Sequence, residues 1–123
     1  MFNGCVNLHT VNFPKKLTAS DCSYMFANTA ALKEFNLDEL DVHGPMPDFL
    51  NSSACENVSI NKCDYDWSSL NTGDASYMFY SMLYLTNINL NNFNFKNVNC
   101  SNFLSGNSNL TSLNITNSNF TDC

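Results

Sequence analysis

The chain contains no arginine, and only 13% of its 123 residues are charged. Five lysines face eleven Asp and Glu, for a net charge of −6. A surface so poor in cations lacks the electrostatic footprint of a nucleic-acid partner or an anionic membrane, because it has little with which to neutralise phosphates. No apolar run approaches the roughly 20 residues that span a bilayer, so no transmembrane segment is expected. No basic segment followed by an apolar one opens the chain as a leader would. The six cysteines include no Cys-x-x-Cys pair, the spacing a zinc site uses, so no metal is expected. Glycine-rich phosphate loops, paired carboxylates and nucleophile motifs are missing too, which argues against an enzyme and against any cofactor. The two histidines, His9 and His43, lie in different parts of the chain. A nucleophile–base pairing such as Cys63 with His43 is left open by the sequence.

Asparagine and apolar residues are plentiful instead: 22 Asn, 44% hydrophobic and 13% aromatic. They recur in a pattern, Leu-x-x-Φ-Asn-Φ with Φ apolar. It reads Leu8-x-x-Val11-Asn12-Phe13, Leu32-x-x-Phe35-Asn36-Leu37, Cys55-x-x-Val58-Ser59-Ile60, Leu85-x-x-Ile88-Asn89-Leu90 and Leu110-x-x-Leu113-Asn114-Ile115. The leading residues follow at steps of 24, 23, 30 and 25. Six residues before each stands a second apolar landmark, Phe2, Phe26, Phe49, Phe79 or Leu104. A period in the twenties held over five copies is the signature of a solenoid, in which each unit hides its apolar side only against its neighbours. The expected fold is a β-rich stack of about five units (about 1–24, 25–48, 49–77, 78–102 and 103–123), with short parallel strands joined by short helical turns or loops. The Met-Phe opening and the stop at Cys123, about where another landmark would follow, read as a piece of a longer array.

Within this plan Val11 and Phe13 should alternate as the first strand, which Pro14 ends. The run Asp38-Glu39-Leu40-Asp41 reads as a solvated edge that breaks the pattern. The extra residues between Cys63 and Asp74 read as a loop, because insertions in repeat chains emerge on one face that is often the binding one.

The segment Met1-Phe2-Asn3-Gly4-Cys5-Val6-Asn7-Leu8-His9-Thr10-Val11-Asn12-Phe13 resembles the repeat of the BspA-like leucine-rich surface proteins. So do Ser23-Tyr24-Met25-Phe26, Ser76-Tyr77-Met78-Phe79 and Phe13-Pro14-Lys15-Lys16-Leu17-Thr18. The resemblance spans the chain and is strongest in units one, four and five; residues 38–77 match poorly. It implies a curved right-handed solenoid on a secreted or surface-anchored protein that serves adhesion, and it carries no catalytic residue with it.

If the Φ residues point inward, Asn12, Asn36, Ser59, Asn89 and Asn114 form an outer row, beside a second row of Thr10, Glu34, Asn57, Asn87 and Ser112. Parallel strands lie about 4.8 Å apart, so such amides can bond along the stack or present a polar ribbon to a protein or glycan. Asp64, Tyr65, Asp66 and Trp67 form a loop contact point, or Trp67 folds back over the widened third layer. Asp64-x-Asp66-x-Ser68 opens like a calcium loop but has Ser69 and Ala75 where that loop needs glycine and an acid. Cys100 and Cys123 fall in one column of neighbouring units, within disulfide reach. Cys55 replaces a core leucine, and a bridge from it to Cys63 across the loop is a further option. Six Asn-x-Ser/Thr sequons, at Asn51, Asn57, Asn99, Asn109, Asn114 and Asn119, become glycan sites in a eukaryotic secretory pathway. The sum is a non-enzymatic extracellular or cell-surface solenoid that binds a protein or glycan. The alternative is a structural subunit of a fibre, sheath or virion, whose partners are further copies joined through uncapped ends and Asn-rich faces.

Overall fold

The computed structural model describes every residue, Met1–Cys123. The chain is a β-solenoid of about four turns, with parallel strands stacked and no helix. Seven strands form, β1 (Lys16–Ala19), β2 (Glu34–Val42), β3 (Asn57–Tyr65), β4 (Gly73–Asp74), β5 (Asn87–Asn91), β6 (Val98–Asn99) and β7 (Ser112–Thr116). One sheet runs β1-β2-β3-β5-β7 and a second pairs β4 with β6, all parallel.

Alternation in the repeat sets the main sheet. Phe35, Val58, Ile88 and Leu113 stand in one register row, and Leu37, Ile60, Leu90 and Ile115 in another. Both rows turn inward, because burying an apolar side chain in such a column is worth about 1.5–3 kcal/mol. After each inner pair the alternation slips by one residue. In β2 the buried residues run Phe35, Leu37, then Leu40, Val42, and the pairing with β3 skips Asp38. The same slip separates Ile60 from Cys63 and Leu90 from Phe93, so each rung bends there and begins a second inward face.

This bend corrects two expectations. The acidic run is no break in the pattern: Asp38, Glu39, Leu40 and Asp41 all lie inside β2, with Leu40 buried and the carboxylates turned outward. The first strand, conversely, is not at Val11–Phe13. That segment makes no backbone hydrogen bond to β2, and pairing begins only with Lys16 opposite Glu39. An outermost rung is held from one side only. Pro14, which fixes φ near −65°, stands beside the bend that Asp38 and Asn61 occupy in the next rungs. Phe13 is still half-buried, its ring 5.0 Å from Phe35 and 5.7 Å from Phe26.

Of the expected helical turns or loops the structure has loops, pairs of tight turns built on left-handed residues. Tyr24 and Asn28 have φ of 55° and 57°, Asp48 and Ser52 57° and 59°, Tyr77 and Ser81 56° and 54°. Gly4 and Gly106 take the same place at the two ends, where glycine adopts positive φ without steric penalty. Relative to these turns, Phe26, Leu50 and Phe79 are equivalent: the amides of Phe26 and Leu50 donate to Phe49 and Met78 one rung on. Leu50, not Phe49, therefore occupies the landmark column, and Phe49 takes the place of Met25 and Met78. Both are fully buried, and the aromatic contacts fall into two groups: Phe2–Phe26 and Phe26–Phe49, with ring centres 5.1 and 5.6 Å apart, and Phe79–Phe103 at 5.2 Å, with no ring contact between Phe49 and Phe79. No helix is long and apolar enough to cross a membrane.

Candidate binding face

The outward side of the main sheet carries the two rows anticipated from the repeat. Glu34, Asn57, Asn87 and Ser112 are register partners, as are Asn36, Ser59, Asn89 and Asn114. Asn12 and Thr10 precede them on the unpaired first segment. The Asn36 row is not an amide ladder: its members share no side-chain hydrogen bond, not even the adjacent register partners Asn89 and Asn114. In the neighbouring row, Asn57 donates its amide to the Glu34 carboxylate at 3.0 Å.

Side-chain bonds between neighbouring rungs stand at the bend instead. Asn61 donates to the Asp38 carboxylate at 2.9 Å, Asn92 donates to the Asn61 carbonyl at 2.8 Å, and the Thr116 hydroxyl donates to Asn91. Sequence reasoning missed them, although Asp38 and Asn61 each directly follow an aligned inner residue, Leu37 and Ile60. Where the first segment stands away from β2, a cleft of about 580 Å³ opens, lined chiefly by Asn12, Phe13, Lys15, Asn36, Asp38 and Asn61. The structure thus gathers Asn12, Asn36 and Ser59 at one end of the face, while Asn89 and Asn114 continue it along the stack.

The inserted loop is shorter than expected. Asp64 and Tyr65 belong to β3, which leaves Asp66 to Thr72 as the excursion. Tyr65 is half-buried; its hydroxyl donates to the Asp74 carbonyl and accepts from the Asp74 amide, at 3.1 and 2.9 Å. Trp67 folds back against the core and across Gly73, where a Cβ would come within 2.7 Å of the indole. Asp64 pairs with Lys62 at 3.2 Å, and Asp66 accepts from the Ser68 amide. No group of three or more His, Cys, Asp or Glu side chains has an arrangement that could hold a metal ion.

Beside this loop lies a charge cluster that sequence spacing did not disclose. His43 Nε2 is 3.1 Å from Asp41 and its Nδ1 is 3.4 Å from Asp66, while Lys16 Nζ is 3.4 Å from Asp41. The hydrogen bond to Asp41, helped by Asp66, raises the His43 pKa. Burial works to raise Asp41, but His43 and Lys16 outweigh it and hold its carboxyl below the usual range. Hydrogen bonds from Ser68, with His43 beyond them, lower Asp66 likewise.

Cys100 and Cys123 are joined in a disulfide with Cα atoms 5.3 Å apart. Cys55 and Cys63 are not bridged: both are free and buried. Cys55 precedes β3 and Cys63 stands beyond its bend, with most of the strand between them. Burial pushes the Cys55 thiol up to about 11 and Cys63 higher still. Cys63 is thus a buried core thiol that burial holds in its protonated form. Among the sequons, Asn51, Asn57 and Asn109 already donate their amides to Asp48, Glu34 and the Leu83 carbonyl. Asn99 and Asn119 accept from Ser101 and Thr121 in local turns. Asn114, exposed on β7, has no side-chain bond. No family model matches this sequence, and no curated protein or solved structure matches it.

Proposed function

We propose that the chain is a non-enzymatic adhesion and protein-binding solenoid of the BspA-like leucine-rich kind, belonging to an extracellular or cell-surface protein. The observation that carries the reading is the outward face of the main sheet. It presents amides and hydroxyls, with the Glu34 carboxylate among them, in two rows at strand spacing on a hydrogen-bonded parallel sheet. Such a surface binds by many weak, regularly placed polar contacts, for which a rigid frame keeps the ordering cost low. The cleft beside Asn36 and Asp38 gives one end of it enough depth to enclose a sugar ring or an extended side chain. The Cys100–Cys123 bridge supports an oxidising compartment.

The test is binding of the purified chain to an immobilised panel of oligosaccharides and extracellular-matrix proteins. Saturable binding to a panel member, lost at least tenfold in Ser59→Arg with unchanged thermal melting, is expected. Binding that survives Ser59→Arg and Asn36→Arg, or no binding to any member, refutes the assignment of this face.

A further inference from the structure

Tyr24, Asp48, Tyr77 and Asn102 occupy one turn position in successive rungs, with φ of 55°, 57°, 56° and 56°. The amides of Tyr24, Asp48 and Tyr77 donate to Pro47, Ser76 and Ser101 of the rung that follows. Asparagine and aspartate tolerate this left-handed backbone, whereas a bulky side chain there is strained. Two of the four positions nonetheless hold tyrosine. Core packing does not account for them, since Tyr24 is 46% and Tyr77 37% exposed. Rungs lie about 4.8 Å apart, so the two tyrosines flank Asp48 at a backbone separation of about 9.6 Å. Asp48 stands close to Tyr24, whose pKa it raises by its charge and by a hydrogen bond with the hydroxyl. Its carboxylate also accepts the Asn51 amide at 2.6 Å, and no ion pair of the chain involves it. The Tyr77 ring meets Tyr80 edge to face, with centres 5.0 Å apart.

We propose that this edge of Tyr24, Asp48 and Tyr77 docks an arginine side chain of a partner protein, its guanidinium set between the two rings and its charge on Asp48. The sign of the surrounding charge decides the partner. Residues 17–32, 44–61 and 63–95, which include the turns of the second to fourth rungs, contain no Lys, Arg or His. Asp21 and Asp74 stand three residues ahead of Tyr24 and Tyr77 and add to the negative field. Aromatic faces attract cations, and arginine suits them better than lysine because its flat group stacks on a ring. Such a group takes a contact of about 3.5–4.0 Å on each face, which the spacing of two rungs accommodates. This chain has no arginine, so the partner is a different protein and not a second copy. The residues belong to turns of the second to fourth rungs, not to the main sheet, and the inference does not rest on the binding role proposed for that sheet.

The probe is a fluorescent hexa-arginine peptide titrated with the purified chain at about 0.15 M salt, where charges more than roughly 8 Å apart are screened. Saturable binding is expected. Tyr24→Asn and Tyr77→Asn suit the left-handed backbone, so both should fold as wild type does by circular dichroism. Each should weaken the peptide about tenfold, and Asp48→Asn should do the same. Asp38→Asn removes an equal charge from the sheet side and should change binding less than about twofold. Absence of saturable binding overturns the proposal. So does an equal loss in Asp38→Asn, which would mean attraction by net charge alone, or retention of full binding in both tyrosine variants. Hexa-arginine left unbound while a neutral oligosaccharide binds in a Tyr77-dependent way would overturn it in favour of a glycan.

Discussion

Gly44 tests how the first rung is held. It is buried, and its neighbours carry two bonds that tie the first rung to the second: the His43 amide donates to Ala19 and the Cys22 amide to Pro45, both at 2.9 Å. What the site needs is room. A Cβ at residue 44 would fall inside the van der Waals sphere of the Ser20 carbonyl oxygen and 3.1 Å from its carbon. A side chain could swing away, but this obstacle is backbone, so Gly44→Ala must pry Ser20 off the second rung. Two hydrogen bonds, each worth about 0.5–1.5 kcal/mol net, are then lost with part of the packing around Phe13 and Cys22. The cost is roughly 2–4 kcal/mol, against about 5–15 kcal/mol for a whole domain. With a urea slope of about 1–3 kcal/mol/M, the unfolding midpoint should fall by roughly 1–2 M. Because rungs contact only their neighbours, exchange of the His43 amide should accelerate while those of β5 stay protected. A midpoint within about 0.3 M of wild type, with the His43 amide still slow, would refute the reasoning.

Three other outcomes follow from the same geometry. Reducing the Cys100–Cys123 bridge, whose partners are 23 residues apart, should cost roughly 3.5 kcal/mol in the chain-entropy model; an unchanged melting temperature, or a non-reduced mass equal to the reduced one, would contradict it. His43 has a folded pKa above its ordinary value of 6.5. Its pairing with Asp41 and Asp66 therefore stabilises fully below 6.5 and fades as pH rises through the raised value. The melting temperature of wild type relative to His43→Asn should drop across that window, and parallel profiles would show the contacts to be inert. Gly73→Ala should destabilise the wild type by displacing Trp67 but be nearly neutral in a Trp67→Ala background; a double-mutant coupling below about 0.5 kcal/mol would mean the indole does not rest on Gly73.

The main sheet was legible because its signal is redundant. Phe35, Val58, Ile88 and Leu113 each follow a leading residue by three and each alternate with a polar neighbour, so register and facing are specified together. The turns were less so. Phe49 and Leu50 are both apolar, and hydrophobicity cannot tell which fills the landmark column; the left-handed conformations at Asp48 and Ser52 decide it. Helix and paired turns bury the same residues over so short a span, so the pattern did not separate them either. The acidic run misled because charge was weighed above the alternation of Leu40 and Val42, which is what holds β2 together beyond Asp38. On the binding face, the rows of Asn36 and Asn57 were readable from the repeat. The cleft was not, since it exists only where Val11–Phe13 fails to pair.

The third rung explains how one fold accepts unequal repeats. From landmark to leading residue it is one residue short: Leu50 precedes Cys55 by five where Phe26 precedes Leu32 by six. Beyond β3 it is longer by the excursion from Asp66 to Thr72. Neither change disturbs the columns, because most bonds between rungs are made at the strand, the bend and the left-handed turns. Chain between those columns is free to shorten or bulge. Variation is thereby pushed to the loop edge, near Trp67 and His43, and away from the sheet, where an added residue in β3 would turn every following side chain to the wrong side. The rows through Asn57 and Ser59 keep their spacing for the same reason that the hydrophobic column does, since each strand fills both with alternate residues. A flat, regularly spaced outer face is thus a consequence of core packing, available for recognition at no further cost in stability.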